Sequence, residues 1–194
     1  MTTFLRHRIG PAVALLIVMT LITGVAYPVV VTAIAQVAFP TQANGSFVVT
    51  ADGRTVGSSL IGQAFDQPQY LWGRPSAAGK DGYDASGSAG SNLGPTSQAL
   101  IDRIMADVDR VRAANGGGPV PVDLVTTSAS GLDPEISPAA AEYQVTRVAA
   151  ARSMSEADVR SVVARHTEGP LLGFLGQPRV NVLLVNLDLD GLLK

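Results

Sequence analysis

Residues 13–31 read VALLIVMTLITGVAYPVVV and lie within a longer stretch, Ile9 to Ala51, that contains no Asp, Glu, Lys or Arg. An α-helix rises ~1.5 Å per residue, so about 20 apolar residues cross a hydrocarbon core of ~30 Å. A helix also satisfies its own backbone hydrogen bonds, as a span through lipid requires. We therefore predict a single N-terminal transmembrane helix over residues 9–35, with Gly24 and Pro28 as positions where it kinks or ends.

The charge on either side of this helix predicts its orientation. Arg6 and Arg8 precede it, and the next basic residue is Arg54. Because loops rich in positive charge stay in the cytoplasm, we expect residues 1–8 to be cytoplasmic. Residues 36–194 are then extracytoplasmic.

A cleaved signal peptide is the alternative interpretation of the same stretch. Residues 33–35, Ala-Ile-Ala, have the small-x-small form of a cleavage site. The apolar run exceeds the ~7–15 residues usual for the core of a signal peptide, and this favours a retained helix. Cleavage after Ala35 would instead release a secreted protein, and both interpretations export the rest of the chain.

The composition limits what the exported part does. The chain has 14 basic and 16 acidic residues, and two of the basic ones precede the helix. The exported part therefore carries 12 basic and 16 acidic residues, a net charge of −4, which is a poor match for nucleic acid. The chain has no cysteine, and this excludes disulfides, thiolate metal sites and cysteine nucleophiles.

Beyond the helix the sequence predicts one α/β (α+β) domain over residues 36–194. Asp52-Gly53 between two β-favouring runs predicts a hairpin, and the Gly- and Ser-rich residues 73–95 predict a long loop. The other predicted elements are a helix opening at Pro95, helices capped by Ser137 and Ser155, and a central strand over Val180–Leu189.

Chemical motifs are scarce in the predicted domain. Gly73–Asp81 is one residue too long for a phosphate-binding loop and ends in Asp where Ser or Thr is needed. His166 is the single histidine of the exported part, and no G-x-S-x-G elbow accompanies it, so a serine hydrolase is not indicated. Asp188 and Asp190 share a parity on the predicted strand, but a cation site needs several more oxygen ligands.

Trp72 is the only tryptophan of the chain. With Arg74 and Arg147 it suggests a cation–π or carboxylate-binding surface, although ordinary packing beside solvated charge explains the same residues. The residue patterns alone therefore indicate an exported, cysteine-free domain with no catalytic, cofactor-binding or metal-binding motif.

The irregular segments carry a likeness to a known family. The matching stretches, in chain order, are LIGQAF (60–65), WGRPSA (72–77), GSNLGPT (90–96), PVDLVT (121–126), SASGLDPEISPAAA (128–141), YQV (143–145), RVA (147–149), HTEG (166–169), FLG (174–176) and PRVNV (178–182). Together they resemble the C subunit family, KdpC, of the bacterial Kdp potassium-transporting P-type ATPase. The family often has Asp-Pro-His where this chain has Asp-Pro-Glu135, so an imidazole is replaced by a carboxylate.

The resemblance implies a non-catalytic accessory subunit of a high-affinity, ATP-driven potassium uptake complex in the bacterial inner membrane. It implies KdpA, KdpB and KdpF as partner subunits, with the exported domain docking on the outer face of the channel-like KdpA. The complex would use ATP, Mg and K, while this chain, which lacks the Asp-Lys-Thr-Gly phosphorylation motif, would bind none of them. Candidate docking or bracing residues are Arg74, Asn92, Asp133, Gln144 and Arg147.

Two other functions are compatible with the sequence. The first is a nucleotide-binding catalytic chaperone that raises the ATP affinity of KdpB, which requires the domain to be cytosolic. The second is a secreted enzyme released by signal-peptide cleavage, whose mature chain would begin at Gln36.

Overall fold

The computed structural model describes the backbone of residues 2–193 and the side chains of residues 7–193. Met1, Lys194 and the side chain of Arg6, which belongs to the predicted cytoplasmic segment, lie outside the described residues. The chain divides into two compact units, Met1–Ser46 and Phe47–Lys194.

The first unit is a long apolar helix. Its parts are α1 (Thr2–Leu21), a π-helical turn (Ile22–Ala26), α2 (Tyr27–Ala38) and a short α3 (Pro40–Ala43). The stretch from His7 to Ala38 is long and apolar enough to cross a membrane, and its most apolar window is entirely exposed within the structure. The predicted N-terminal helix is therefore present, and it extends beyond residue 35 to Ala38.

The π turn lies directly before Pro28. Proline has no N–H, and its ring crowds the carbonyl four residues earlier, here that of Gly24. The wider turn, in which the Tyr27 N–H bonds the Ile22 carbonyl, accommodates that ring without ending the helix. Residues 33–35, the candidate cleavage site, lie inside α2.

The second unit contains two small antiparallel sheets. The predicted hairpin is confirmed: β1 (Phe47–Val49) pairs with β2 (Thr55–Ser58), with Val48 opposite Gly57. The second sheet has the order β3-β5-β4, formed by Glu135–Ile136, Arg179–Asn181 and Thr167–Glu168. Because both sheets are antiparallel, the domain is an α+β domain.

Three helices precede or interrupt the second sheet: α4 (Gln98–Asn115), α5 (Pro138–Arg152) and α6 (Glu156–Arg165). The caps of α5 and α6 are as predicted, because the Ser137 and Ser155 hydroxyls each accept a backbone N–H in the first turn at 3.1 Å. The predicted start of α4 at Pro95 is wrong. Pro95 occupies a turn closed by the Ser97 N–H on the Gly94 carbonyl at 3.0 Å, a position that suits proline equally well.

The predicted strand over Val180–Leu189 is also wrong. Its first residues belong to β5, and Val182–Leu189 form helix α7. The Asn181 side chain starts this helix by accepting the Leu184 N–H at 3.1 Å. The run is buried on most sides, so strand and helix produce the same apolar pattern in the sequence.

Helix α5 lies at the centre of the core. Its small residues Ala140, Ala141 and Ala149 are buried and allow close packing of the neighbouring elements. The other buried apolar side chains of this cluster are Leu71, Val111, Leu124, Ile136, Val145, Val148, Val159, Val162, Val180, Val182 and Val185. In the described chain no helix or strand lies between β2 and α4, so residues 73–95 are irregular, as predicted. Leu71, which precedes this loop, belongs to the core.

Candidate functional site

Two side-chain amides hold the buried part of the irregular segment. Asn186 of α7 accepts the Leu71 N–H at 2.8 Å and donates to the Leu71 carbonyl at 2.9 Å. Gln144 of α5 does the same for Trp72, at 2.8 and 3.1 Å. A buried backbone without secondary structure must find partners for its polar groups, and these amides supply them as a neighbouring strand would.

Arg147 reinforces the same segment from α5. Its guanidinium donates to the carbonyls of Pro68 and Tyr70 at 2.6 and 3.0 Å, and to the Gln144 Oε1 at 2.7 Å. It also lies over the Trp72 ring, 4.3 Å from the centroid. Burial, together with the positive charge of Arg110, lowers the pKa of Arg147 to about 10. The group is therefore still charged at neutral pH.

A cation–π contact, one of the arrangements that the sequence suggested for Trp72, is present for one of the two arginines. Arg147 stacks on Trp72, and the second cation over this ring is Arg110 of α4, at 5.0 Å. Arg74 does not join them. The partner of Arg74 is a carboxylate on another segment.

The carboxylate that pairs with Arg74 is Asp133, with Nη1 and Oδ2 3.1 Å apart. Arg74 also donates to the carbonyls of Thr126 and Thr127, at 3.3 and 3.2 Å. Asp133 accepts the Glu135 N–H at 3.0 Å through its other oxygen. This pair ties the loop after Trp72 to the segment that leads into β3.

Tyr83 stabilises the same loop by bonding to its backbone. Its hydroxyl donates to the Arg74 carbonyl at 2.6 Å. Burial, assisted by the negative charge of Asp133, raises the pKa of Tyr83 to about 12. The phenol therefore stays protonated and keeps donating through the physiological pH range.

Two clefts flank the Arg74–Asp133 pair. One, of about 500 Å³, is lined by Asp123, Glu135 and Arg179 in addition to the pair. The other, of about 650 Å³, is formed with residues 127–130. In the first cleft three carboxylates face two arginines, so a polyphosphate would meet net negative charge.

Glu135 contributes to this cleft. It pairs with Arg179, the Arg179 Nε lying 2.8 Å from the Glu135 Oε1. Burial raises the pKa of the Glu135 carboxyl above its ordinary value, although the charge of Arg179 opposes the shift.

Asp188 and Asp190 lie on α7 and at its C-cap, so the same-face arrangement predicted from a strand is wrong. Asp188 contacts Arg165 and His166, whereas Asp190 contacts Arg152. The ion pairs of the two carboxylates therefore have no partner in common. Among the described residues no group of three or more His, Cys, Asp or Glu side chains is placed to hold a metal ion.

Asp188→Asn is expected to remove a pH-dependent part of the stability. Burial raises the pKa of Asp188, but hydrogen bonds from His166 and Arg165 outweigh it, so this pKa lies below its ordinary value of 3.8. A carboxyl whose pKa is lower in the folded protein than in the unfolded chain stabilises the fold while it is ionised. This contribution is complete above the ordinary pKa and is lost as the pH falls through the lowered pKa. At pH 7 we expect the variant to lose about 1 kcal/mol.

Thermal unfolding of the full chain in detergent, at pH 7 and at pH 3, measures this effect. The gap in melting temperature between wild type and Asp188→Asn should be largest at pH 7 and smaller at pH 3. Asp109→Asn, at an exposed position of α4, is the matched control and should change neither. A gap of equal size at both pH values would contradict the prediction.

The structure sorts the candidate residues into two connected groups and one outlier. Arg74 and Asp133 form one ion pair, and Gln144 and Arg147 form one hydrogen-bonded pair, each attached to the segment around Trp72. Asn92 joins neither group among the described contacts; it is exposed, with a left-handed φ of 51°.

Two bracing residues were missed from the sequence. Asn186 is the only polar residue in the apolar run 182–187, and this isolated polar side chain was the signal that could have identified it. Arg152, at the end of α5, donates to the carbonyls of Gln69 and Leu189 at 2.7 and 2.8 Å and pairs with Asp190.

Comparison with known proteins covers almost the whole chain. The sequence model of the family described as "K+-transporting ATPase, c chain" matches residues 9–191. A Potassium-transporting ATPase KdpC subunit from Sorangium cellulosum (strain So ce56) is 64% identical over 186 residues, 95% of this chain and 97% of that protein. Proteins of the same name from Koribacter versatilis (strain Ellin345) and Burkholderia mallei (strain SAVP1) are 55% and 58% identical, over 96% and 93% of this chain and 96% and 94% of their own lengths.

Proposed function

The chain belongs to the KdpC family, the C subunit of the K+-transporting P-type ATPase, and from this membership we propose that it is a non-catalytic accessory subunit. Its role is to stabilise the assembled pump and to dock on the outer face of the channel-like KdpA subunit. KdpB and KdpF complete the complex. The ATP, Mg and K that the pump uses are handled by the other subunits.

The observation that carries this proposal is that the candidate polar residues bind other parts of the domain itself. Gln144 and Arg147 are directed at backbone groups of the segment around Trp72, and Arg74 at Asp133 and two carbonyls. Side chains engaged in this way stabilise a shape and are not available to act on a substrate themselves. A rigid domain with irregular, well-braced loops is suited to docking.

The N-terminal helix supplies the second part of the proposed role. Residues 9–35, which lie within the apolar stretch from His7 to Ala38, are proposed to cross the inner membrane once, with residues 1–8 in the cytoplasm and the domain outside. The helix then holds the domain at the membrane and packs on KdpA within the bilayer.

The nucleotide-chaperone alternative receives less support from the domain. Its clefts beside Arg74 carry the carboxylates of Asp123, Asp133 and Glu135, which disfavour phosphate groups. The topology distinguishes the two functions directly. A protease applied from outside the cell should remove a tag fused after the last residue if the domain is extracytoplasmic.

Deletion of residues 1–35 tests the accessory role. The subunits are co-expressed, the complex is purified through a tag on KdpB, and potassium-stimulated ATPase activity is measured. We expect the truncated chain to be absent from the purified complex and the activity to fall at least tenfold.

A chimera with an unrelated single membrane span in place of residues 1–35 is the matched control. Recovery of assembly by the chimera would show that tethering alone suffices, while continued loss would assign specific packing to the native helix. Full assembly and activity of the truncated chain would overturn the proposed role.

A further inference from the structure

The connection between β4 and β5 is an exposed apolar projection. Residues 169–178, GPLLGFLGQP, contain no ionisable side chain. Residues 171–178 are all exposed, and four large apolar side chains are among them: Leu171 at 67%, Leu172 at 76%, Phe174 at 73% and Leu175 at 48%. We call residues 171–175 the apolar tip.

The apolar tip has a defined backbone. The Leu171 N–H bonds the Leu175 carbonyl at 2.8 Å, and the Leu175 N–H returns a bond to the Leu171 carbonyl at 2.9 Å. Leu172 and Gly173 both have positive φ, 55° and 81°, as in the tight turns that join paired strands. The side chains of the tip are therefore presented in a fixed arrangement.

Leu172 is an unusual residue for its backbone conformation. A left-handed φ suits Gly and Asn and is unfavourable for Leu, whose Cβ crowds the following carbonyl. Here the strained position also carries the most exposed side chain of the tip. Folding alone would favour Asn or Gly at this place, so the leucine points to a partner that binds it.

The surrounding charge indicates what kind of partner this is. The two arginines nearest in sequence to the tip are already ion-paired, Arg165 with Asp188 and Arg179 with Glu135 and Glu168. The exported part as a whole is acidic, with 12 basic and 16 acidic residues. Binding to an anionic lipid surface relies on free basic residues, so these charges disfavour an anionic membrane. An apolar recess of a protein matches the exposed, uncharged side chains of the tip.

We infer that the apolar tip is a docking knob that inserts into an apolar recess on another subunit of the same transporter. The inference rests on the proposed accessory function, because that function supplies the partner. Large apolar side chains on a rigid turn lose little conformational entropy on binding, which is the usual property of interface anchors.

The variant Leu172→Asn/Phe174→Ser separates docking from folding. Asn tolerates the left-handed φ at position 172, and both side chains are exposed, so the melting temperature of the full chain in detergent should stay the same or rise. The matched control is Leu60→Asn, at a leucine 62% exposed on another loop.

The measurement is competition between differently tagged wild-type and variant chains for incorporation into the complex. We expect the tip variant to be incorporated at least tenfold less than wild type, and Leu60→Asn to stay within twofold. Incorporation of the tip variant at the wild-type level, with its fold intact, would overturn the inference. If deletion of residues 1–35 still abolishes assembly in that case, the accessory function survives and the docking knob alone is rejected.

A photo-crosslinking residue at position 174 of the assembled complex identifies the partner. A crosslink to another subunit supports the inference. Crosslinks only to lipid, or only to a second copy of this chain, would overturn it.

Discussion

Replacing Gln144 by Leu is expected to lower the free energy of unfolding by about 3–5 kcal/mol. Gln144 is fully buried, and its amide both accepts from the Trp72 N–H and donates to the Trp72 carbonyl. Leucine fills a similar volume but leaves those two backbone groups, and one N–H of Arg147, without a partner. Each buried polar group left unsatisfied costs about 1–3 kcal/mol.

Denaturant unfolding of the full chain in detergent measures this loss. The matched control is Gln98→Leu, the same substitution at an exposed position of α4, where we expect a change within about 0.5 kcal/mol. Asn186→Leu should resemble Gln144→Leu, because Asn186 holds Leu71 by the same pair of bonds. If Gln144→Leu unfolds like the control, the two amides do not hold the segment.

Local signals in the sequence were sufficient for several elements of this fold. Helix α5 begins with a proline that follows a serine cap, α6 begins after a second serine cap, and the hairpin turns at Asp52-Gly53. In these cases the residues that determine the element lie within it or next to it, so no knowledge of the rest of the chain is needed.

The prediction failed where the neighbours of an element decide its form. Val182–Leu189 is apolar on most sides because the core surrounds it, and such a run fits a buried strand and a buried helix equally well. Only the cap at Asn181 pointed to the helix. The predicted helix start at Pro95 was wrong for a related reason, because proline suits the second position of a turn as well as the first position of a helix.

Some members of the candidate site were predictable from the sequence, whereas their hydrogen bonds were not. Gln144 and Trp72 are 72 residues apart in the chain, and nothing near either residue specifies the other. Stacking of Arg147 on Trp72 was suggested by residue type, whereas Arg110 and Asn186 become visible as partners only once the helices are placed. The apolar tip was missed because exposure cannot be read from hydrophobicity.

Arg147→Met is expected to destabilise the fold by about 3–5 kcal/mol. The Arg147 charge is balanced in the described structure by carbonyl oxygens, by Gln144 and by the Trp72 ring, and not by a carboxylate. Methionine keeps much of the packing but removes every donor. Arg147→Lys should recover less than half of the loss, because one ammonium cannot reach the positions of a planar guanidinium fork.

The matched control for this prediction is Arg160→Met. Arg160 makes two ion pairs, with Glu142 and Glu156, but all three side chains are well exposed, so we expect a much smaller loss than from Arg147→Met. A larger loss from Arg160→Met than from Arg147→Met, measured by denaturant unfolding, would mean that surface charge pairs outweigh the internal bracing.

Combining Arg147→Met with Gln144→Leu tests whether the two residues act as one unit. They share a hydrogen bond of 2.7 Å, so each single variant already removes the interaction that the other would remove. The double variant should therefore lose about 1–2 kcal/mol less than the sum of the single losses. Strict additivity would show that the two side chains stabilise the segment around Trp72 independently. In that case the bracing would consist of separate contacts instead of a network centred on α5.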